Sequence, residues 1–277
     1  MKKYIWLLLL SLLLIANIIM GAGTTKTIKQ TSLEVLPETD LEESNTESAE
    51  SVNIAIEDYG FTETEIFIAE IIESEYRGYE AVIKNPAAVI VTTDRESTLD
   101  AFERNSGKFA VNGGGFIGNT PIGNTVVDGK LTGPFEPTQH QWDMFIGFDK
   151  NNNLVGGRVN NYHTLMRMDP VYGLSFGPAL IIDGKPQHTE TSDLHPRTAV
   201  GQLACGSLLF IVIDGRQAGW SKGITVNDLR DLFMERGAVN AFNLDGGGSA
   251  TMVYEGKVLN KPSDGRLRVV ANNIVIL

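Results

Sequence analysis

Cysteine is almost absent from this chain of 277 residues, since Cys205 is the only one. A single cysteine excludes an intrachain disulfide and any zinc site built from several thiolates. Histidine is also scarce, and none of the four stands in a recognisable nucleophile motif. His195, which precedes Pro196-Arg197, stays open as a member of a site. P-loop and dinucleotide-binding fingerprints are missing as well.

Basic residues are missing from one long stretch. Between Gln30 and Tyr76 there are 14 acidic residues and no Lys or Arg. From Arg77 onward, 20 acidic residues face 19 basic ones, so this part is nearly neutral although the whole chain carries a net charge of −11. A nucleic-acid surface requires a clustered basic face. The sequence therefore predicts no nucleic-acid partner.

The N-terminal part of the chain has the composition of a targeting segment. Lys2 and Lys3 precede an uncharged, mostly apolar run over residues 4–22. This pattern predicts a signal anchor or signal peptide over residues 1–23, and its length favours an uncleaved membrane anchor. The positive-inside rule then places the rest of the chain outside the cytoplasm, anchored to the membrane or secreted if cleaved. Residues 24–60 predict an acidic disordered tether, and residues 61–78 a lead-in of uncertain structure.

Residues 79–277 have the pattern of a single α+β domain, with a mixed, mostly antiparallel β-sheet and a few packed helices. Asp128-Gly129, Asp183-Gly184 and Glu255-Gly256 separate short β-prone runs and predict hairpin turns. Helices are predicted over residues 97–104 and 225–236. Thr225 is the expected N-cap of the second helix, and Gly237 is expected to end it.

This second helix joins two apolar runs that both end in an acid. Residues 208–213 lead into Asp214, and residues 238–244 lead into Asp245. A strand–helix–strand connection allows the two strands to lie parallel, so that both acids emerge at one sheet edge. The three glycines after Asp245 allow positive φ angles and close approach to a ligand. Asp245 and Asp214 are therefore a candidate pair of site carboxylates; the alternative for Asp245 is a tight loop in which it caps its own backbone.

Polar side chains cluster in Gly-rich loops at four predicted strand ends. Asn, Asp and Ser recognise sugar hydroxyls, whereas Arg binds phosphate through a bidentate fork. A site that reads both sugar and phosphate is expected. A divalent cation such as calcium, held by Asp214 and Asp245, is a further option without any specifying ligand spacing. The predicted substrate-binding residues are Asn112, Gly113, Gly114, Arg197, Thr198, Arg216, Ser221, Asn243, Gly246, Gly247, Ser249 and Thr251.

Four ordered motifs resemble those of the phosphodiester glycosidase family. They are Asn112-Gly113-Gly114, residues 197–201 (RTAVG), Asp214-Gly215-Arg216 and residues 243–249 (NLDGGGS). The resemblance covers roughly residues 79–277 and implies hydrolysis of a sugar-1-phosphodiester at its glycosidic bond. It further implies Asp245 as nucleophile or base, Asp214 as second carboxylate, and Arg197 or Arg216 as stabiliser of the departing phosphate.

The sequence thus predicts an exported hydrolase that acts on a phosphate-linked glycan of the cell envelope or the extracellular space. Bacterial members of the family are often described as exopolysaccharide-biosynthesis proteins, which is consistent with that substrate class. Two alternatives stay open. One is a non-catalytic glycan-binding module in envelope polysaccharide assembly, and the other is a cation-dependent phosphodiesterase that cuts the P–O bond.

Overall fold

A computed structural model of the protein describes residues 63–139 and 143–277. These residues belong to one compact unit. The predicted signal segment over residues 1–23 and the predicted tether over residues 24–60 lie outside them. Within the described part of the chain, no helix has the length and apolarity needed to cross a membrane.

Short helices and many strands alternate along the described residues. The helices are α1 (Thr98–Arg104), α2 (Tyr162–Met166) and α3 (Val226–Glu235). The strands are β1 (Glu65–Ile72), β2 (Arg77–Lys84), β3 (Val89–Thr92), β4 (Phe109–Asn112), β5 (Phe116–Ile117), β6 (Thr120–Pro121), β7 (Val126–Val127), β8 (Lys130–Leu131), β9 (Met144–Phe148), β10 (Leu154–Gly157), β11 (Tyr172–Phe176), β12 (Ala179–Ile182), β13 (Lys185–Pro186), β14 (Arg197–Leu203), β15 (Leu208–Ile213), β16 (Ala238–Leu244), β17 (Met252–Tyr254), β18 (Lys257–Val258) and β19 (Asn273–Ile276).

The strands form three main sheets and a small hairpin. The largest has the order β1-β2-β15-β14-β16-β12-β13, and two five-stranded sheets have the orders β10-β9-β11-β7-β8 and β18-β17-β4-β19-β3. Neighbouring strands within the described residues pair antiparallel. The predicted α+β class with mostly antiparallel strands is confirmed. The lead-in over residues 61–78, left open by the sequence, supplies β1 and the start of β2 at the edge of the largest sheet.

Both faces of the seven-stranded sheet are covered. On one face, Phe210 and Phe242 pack against side chains of the two five-stranded sheets, among them Phe109. On the other face, α3 covers the sheet through Leu229 and Phe233. Burying a side chain of this size contributes about 1.5–3 kcal/mol. The core therefore fixes α3, and with it the two strands that α3 connects.

Local signals in the sequence agree with the structure where they concern turns and caps. The Thr225 hydroxyl accepts the N–H of Asp228 and caps α3, as predicted. The three predicted hairpin turns join β7 to β8, β12 to β13 and β17 to β18, and both central residues of each have positive φ angles near 50° and 70°. This backbone form is the one that suits the twist of a two-residue hairpin.

The ends of β14, β15 and β16 create the edge at which polar side chains collect. β15 and β16 both run antiparallel to β14, which lies between them, so they are parallel to each other. Asp214 and Asp245 therefore emerge at one sheet edge, as predicted. They are not neighbours, however, because β14 separates their strands by two strand spacings, about 10 Å. Arg197, the first residue of β14, enters the sheet between them.

Candidate active site

Asp245 lies where two sheets meet. The N–H of Asp245 donates to the Gly113 carbonyl over 3.0 Å, and the Asn112 side chain donates to the Asp245 carbonyl over 2.6 Å. The amide oxygen of Asn112 also accepts the hydroxyl of Thr198 at 2.7 Å and the N–H of Thr251 at 3.1 Å. Asn112 is fully buried, so its bonds tie the ends of strands from both sheets around Asp245.

The structure places Asn112, Gly113 and Gly114, which are predicted to bind substrate, at the junction of the two sheets beneath Asp245. A Cβ at Gly113 would collide with the side chain of Asn272, and one at Gly114 would lie 2.5 Å from the carbonyl of Ser175. These two glycines are therefore required by close packing of the chain on itself. Thr198 and Thr251 are also buried. The hydroxyl of Thr198 donates to Asn112, and the hydroxyl of Thr251 donates to the carbonyl of Ser249.

The glycine turn after Asp245 is surrounded by arginines. Gly247 has a φ of +59°, and a Cβ on it would lie 3.0 Å from Nη1 of Arg216. The guanidinium of Arg268 donates to the hydroxyl of Ser249 over 3.2 Å. The N–H of Gly246 donates to Oδ1 of Asp245 over 2.9 Å. The turn thus orients the carboxylate of Asp245 and brings two positive charges close to it.

The environment of Asp245 raises its pKa above the ordinary aspartate value. Burial is the largest cause, since it penalises the charged form. The hydrogen bond with Ser249, the N–H of Gly246 and the charges of Arg268 and Arg216 oppose this rise in pKa. A carboxyl group under such opposing influences is typical of sites that transfer protons or attack a substrate.

Arg197 and Arg216 add two positive charges at this sheet edge. Arg197 donates to the main-chain carbonyls of Asp193 and Ile224. Neither arginine forms an ion pair with any residue that the structure describes. Two unpaired guanidinium groups at one sheet edge form a site suited to a phosphate.

His195 completes this cluster, and its protonation state follows from its contact. Its Nδ1 lies 3.3 Å from Nη2 of Arg216. A guanidinium group can only donate, so Nδ1 accepts and carries no proton. Burial, followed by the charges of Arg197 and Arg216, lowers the pKa of His195. In the neutral imidazole, Nδ1 is thus the acceptor of this contact and Nε2 bears the proton. His195, whose membership of a site the sequence left open, lies beside Arg216 in this cluster.

A cavity of about 570 Å³ adjoins the cluster at Arg197. This volume lies in the range of small-molecule sites. Asn243, two residues before Asp245 on β16, also lines it, and its buried Oδ1 has no hydrogen-bond partner among the described residues. The remaining lining residues are Ile122, Gly123, Asn124, Phe135, Glu136, Pro137, Thr138, Gln139, Asp143, Ser175, Phe176 and Gly177.

The sequence did not indicate the wall of this cavity. Glu136 is held there through its main chain, because Asn124 donates to its carbonyl at 2.6 Å and accepts its N–H at 2.9 Å. Asn124 in turn exchanges hydrogen bonds with Ser175. Neither Glu136 nor Asp143 stands in a Gly-rich motif, and Arg268 lies 19 positions from its partner Ser249. No local pattern marks such residues.

Asp214 lies apart from this cluster, in contacts of its own. Its Oδ1 accepts the side-chain amide of Asn260 at 3.0 Å and the N–H of Lys261 at 2.9 Å. Its Oδ2 accepts the indole N–H of Trp220 at 2.8 Å. Burial is the largest influence on Asp214 and raises its pKa despite these hydrogen bonds. Ser221, predicted to bind substrate, donates its hydroxyl to the carbonyl of Asp214.

The structure thus divides the predicted site residues into four groups. Arg197 and Asn243 line the cavity. Arg216, Asp245, Gly246, Gly247 and Ser249 form the cluster beside it. The scaffold beneath consists of Asn112, Gly113, Gly114, Thr198 and Thr251, and Asp214 and Ser221 lie on the far side of β14.

The calcium site considered for Asp214 and Asp245 does not match these contacts. N–H donors occupy both oxygens of Asp214, and β14 separates the two strands. Within residues 63–139 and 143–277, no three His, Cys, Asp or Glu side chains come together as ligands for an ion.

Several proteins of known sequence are similar to this chain. The SPbeta prophage-derived uncharacterized protein YomE of Bacillus subtilis (strain 168) is 34% identical over 207 residues, which cover 72% of this chain and 32% of that protein. The N-acetylglucosamine-1-phosphodiester alpha-N-acetylglucosaminidase of Bos taurus is 29% identical over 192 residues, covering 61% of this chain and 36% of that protein. The chain therefore spans about a third of the length of these curated relatives.

Solved structures share the fold. The zebrafish N-acetylglucosamine-1-phosphodiester alpha-N-acetylglucosaminidase catalytic domain, auto-inhibited by its pro-peptide, gives a TM-score of 0.63 at 24% identity, over 77% of this chain and 82% of that one. A hypothetical protein from Synechocystis gives a TM-score of 0.54 at 14% identity, over 77% and 62%. Residues 105–277, more than half of the chain, match the family described as phosphodiester glycosidase. The resemblance seen in the ordered motifs is confirmed, and the chain belongs to the phosphodiester glycosidase family.

Proposed function

We propose that the protein hydrolyses the glycosidic bond of a sugar-1-phosphodiester. The observation that carries the proposal is the juxtaposition of Asp245 with the unpaired charges of Arg197 and Arg216 beside the cavity. The relatives named for N-acetylglucosamine-1-phosphodiester support the same substrate class. The N-terminal sequence supports a phosphate-linked glycan outside the cytoplasm, with residues 1–23 as anchor or signal peptide.

In the proposed reaction, the sugar occupies the cavity and the phosphate lies against Arg197 and Arg216. Asp245 is the carboxylate that acts at the anomeric carbon, either by bonding to it or by deprotonating the water that attacks it. The bond between that carbon and the bridging oxygen breaks, and the electron pair leaves with the phosphate. Water supplies the hydroxyl group of the released sugar, and its other proton passes to the released phosphomonoester or to solvent.

The chemistry of the leaving group explains why arginines can stabilise the departing phosphate without a general acid. A phosphate monoester has a second pKa near 6, far below that of an alcohol, so its departure requires little help from a general acid. Preorganised positive charge stabilises the developing negative charge instead. Neutral His195 keeps Arg216 oriented toward this position without neutralising it.

A second carboxylate in the reaction would come from the cavity wall. Glu136 and Asp143 line the same cavity as Arg197, whereas both oxygens of Asp214 accept hydrogen bonds from the protein. We assign Glu136 to this role, since two hydrogen bonds with the side chain of Asn124 fix its main chain at the wall.

The test is release of free sugar and a phosphomonoester from both anomers of N-acetylglucosamine-1-(methyl phosphate) and glucose-1-(methyl phosphate). Asp245→Asn should lower kcat by about 10²- to 10⁴-fold, the range for a positioned acid–base group. Asp231→Asn, a matched change on the exposed surface of α3, should behave as the wild type. Binding of these diesters without turnover would favour a glycan-binding module and contradict the proposal.

A further inference from the structure

Asp214 closes the loop that carries Arg216. Its Oδ2 accepts the indole N–H of Trp220 across the loop, and its main-chain carbonyl accepts the hydroxyl of Ser221 at 2.6 Å. Ser221 also accepts the N–H of Arg77. The side chain and the main-chain carbonyl of Asp214, at the start of the loop, thus both bind residues at its end.

The same carboxylate reaches the chain behind the glycine turn. Oδ1 of Asp214 accepts the amide of Asn260, which also donates to the carbonyl of Ala250 at 3.0 Å. The amide oxygen of Asn260 accepts the N–H of Met252 at 2.8 Å. Between these two residues lies Thr251, which Asn112 holds. Hydrogen bonds on both sides of the main-chain segment from Ala250 to Met252 therefore connect Asp214 to Asn112, which supports Asp245.

Arg216 depends on this support because its backbone is unusual. Its φ is +58°, in the left-handed region that residues other than glycine seldom occupy. Such a conformation persists only where the surrounding structure fixes it. The side chain of Gln217 donates to the carbonyl of Lys261, the residue whose N–H bonds to Asp214. Asp214 and its partners thus hold the loop on both sides of Arg216.

We propose that Asp214 is a positioning residue, which fixes Arg216 against the glycine turn and holds Asn260 behind Asp245. The inference deepens the proposed function and rests on it for the activity measurements. Asp214 makes no contact with substrate in this account, and its carboxylate acts through N–H donors of Trp220, Asn260 and Lys261. Within the Asp-Gly-Arg motif, Asp214 thus positions Arg216.

The activity test is a double-mutant cycle with a pH–rate profile. Asp214→Asn places an amide against the N–H donors and should lower kcat/KM by about 10- to 100-fold, the effect of a small misplacement of reacting groups. Both limbs of the pH profile should persist at reduced height. In an Arg216→Met background, the same substitution should cost less than about 3-fold, because coupled residues are not additive. Loss of one limb, or fully additive losses, would overturn the proposal.

A second readout does not depend on turnover. His195 contacts Arg216, so its imidazole titration, followed by NMR, reports where that guanidinium lies. Removing a nearby negative charge alone lowers a histidine pKa, whereas moving Arg216 away raises it. We therefore expect Asp214→Asn to raise the pKa of His195, as Arg216→Met should, with no further rise in the double variant. A lowered or unchanged pKa would contradict the positioning role.

Two comparisons make the result decisive. Trp220→Phe removes the indole donor but keeps an aromatic ring for the cations of Arg77 and Lys261. It should give the same directions with a smaller loss, about 3- to 10-fold in kcat/KM. This variant decides the question if Asp214→Asn does not fold, and an unchanged kcat/KM and His195 titration in it would overturn the proposal. If the wild type hydrolyses none of the four diesters, the proposed function fails, while the histidine titration still decides the role of Asp214.

Discussion

The side-chain amide of Asn112 donates to the main-chain carbonyl of Asp245 over 2.6 Å, while the Asp245 N–H donates to the carbonyl of Gly113 over 3.0 Å. Asn112 and Gly113, at the end of β4, therefore bind both the N–H and the carbonyl of Asp245, which follows β16 in the other sheet. Asp245 is the residue proposed to act on the substrate. A reactive group held in this way keeps its geometry without contributions from flexible loops.

Asn112→Ala tests whether this support is needed for both stability and activity. The substitution leaves buried partners of three hydrogen bonds unpaired, which should lower the free energy of unfolding by about 2–4 kcal/mol. The protein that remains folded should show kcat reduced by about 10- to 100-fold, since Asp245 loses its anchor. Urea unfolding and steady-state kinetics measure both effects. Asn119→Ala, at an exposed position, should change stability by less than about 0.5 kcal/mol; equal effects of the two variants would contradict the role of Asn112.

Arg268→Met should move the acid limb of the pH–rate profile. Asp245 must be ionised to attack or to deprotonate water, so activity rises with pH through its pKa. The charge of Arg268 lowers that pKa, and its removal should raise it and shift the limb to higher pH. Measurements of kcat/KM against pH test this, with Arg104→Met, in a surface ion pair, as the control that leaves the limb in place. A limb that stays or moves to lower pH in Arg268→Met would refute this assignment.

Asp245→Asn should be more stable than the wild type at neutral pH. Burial raises the pKa of Asp245 in the folded protein, so the folded state binds its proton more tightly than the unfolded state does. The charged group therefore destabilises the fold above that raised pKa, and the penalty disappears as pH falls below the ordinary aspartate value. Substitutions that relieve such a site commonly add about 0.5–2 kcal/mol. Urea unfolding at pH 7 and at pH 3.5 should show a difference between the two proteins that shrinks in acid.

Glu136→Gln tests the proposed second carboxylate. The substitution keeps the shape of the side chain and the two main-chain bonds to Asn124, so the fold should persist. We expect kcat to fall by about 10²-fold with little change in KM. Asp143→Asn is the comparison, because that residue lines the same cavity. If only Asp143→Asn lowers kcat, the role moves to Asp143, and if neither does, the cavity wall supplies no second carboxylate.

The sequence predicts the parts of this fold that local chemistry decides. Asp128-Gly129 must turn because two positive φ angles suit a hairpin, and Thr225 must cap because its hydroxyl replaces a missing backbone acceptor. The parallel direction of β15 and β16 follows from the helix that joins them. Each of these predictions is confirmed.

Contacts between distant segments explain what the sequence did not reveal. Placing β14 between the two acid-bearing strands depends on pairing over the whole sheet. The motif containing Asp214 indicates an important acid, but only the structure shows that Trp220, Asn260 and Lys261 surround it. Arg268 and Glu136 reach the site from segments without any motif. A motif thus identifies residues, whereas the direction of each side chain is set by packing.

The position of the isotope after hydrolysis in ¹⁸O-labelled water tests the central claim most directly. Mass spectrometry of the products from a sugar-1-phosphodiester locates the oxygen that water supplied. Cleavage at the glycosidic bond places ¹⁸O on the anomeric hydroxyl of the free sugar and leaves the phosphomonoester unlabelled. Label in the phosphate would show that the P–O bond breaks, and it would contradict the assignment of Asp245 to the anomeric carbon.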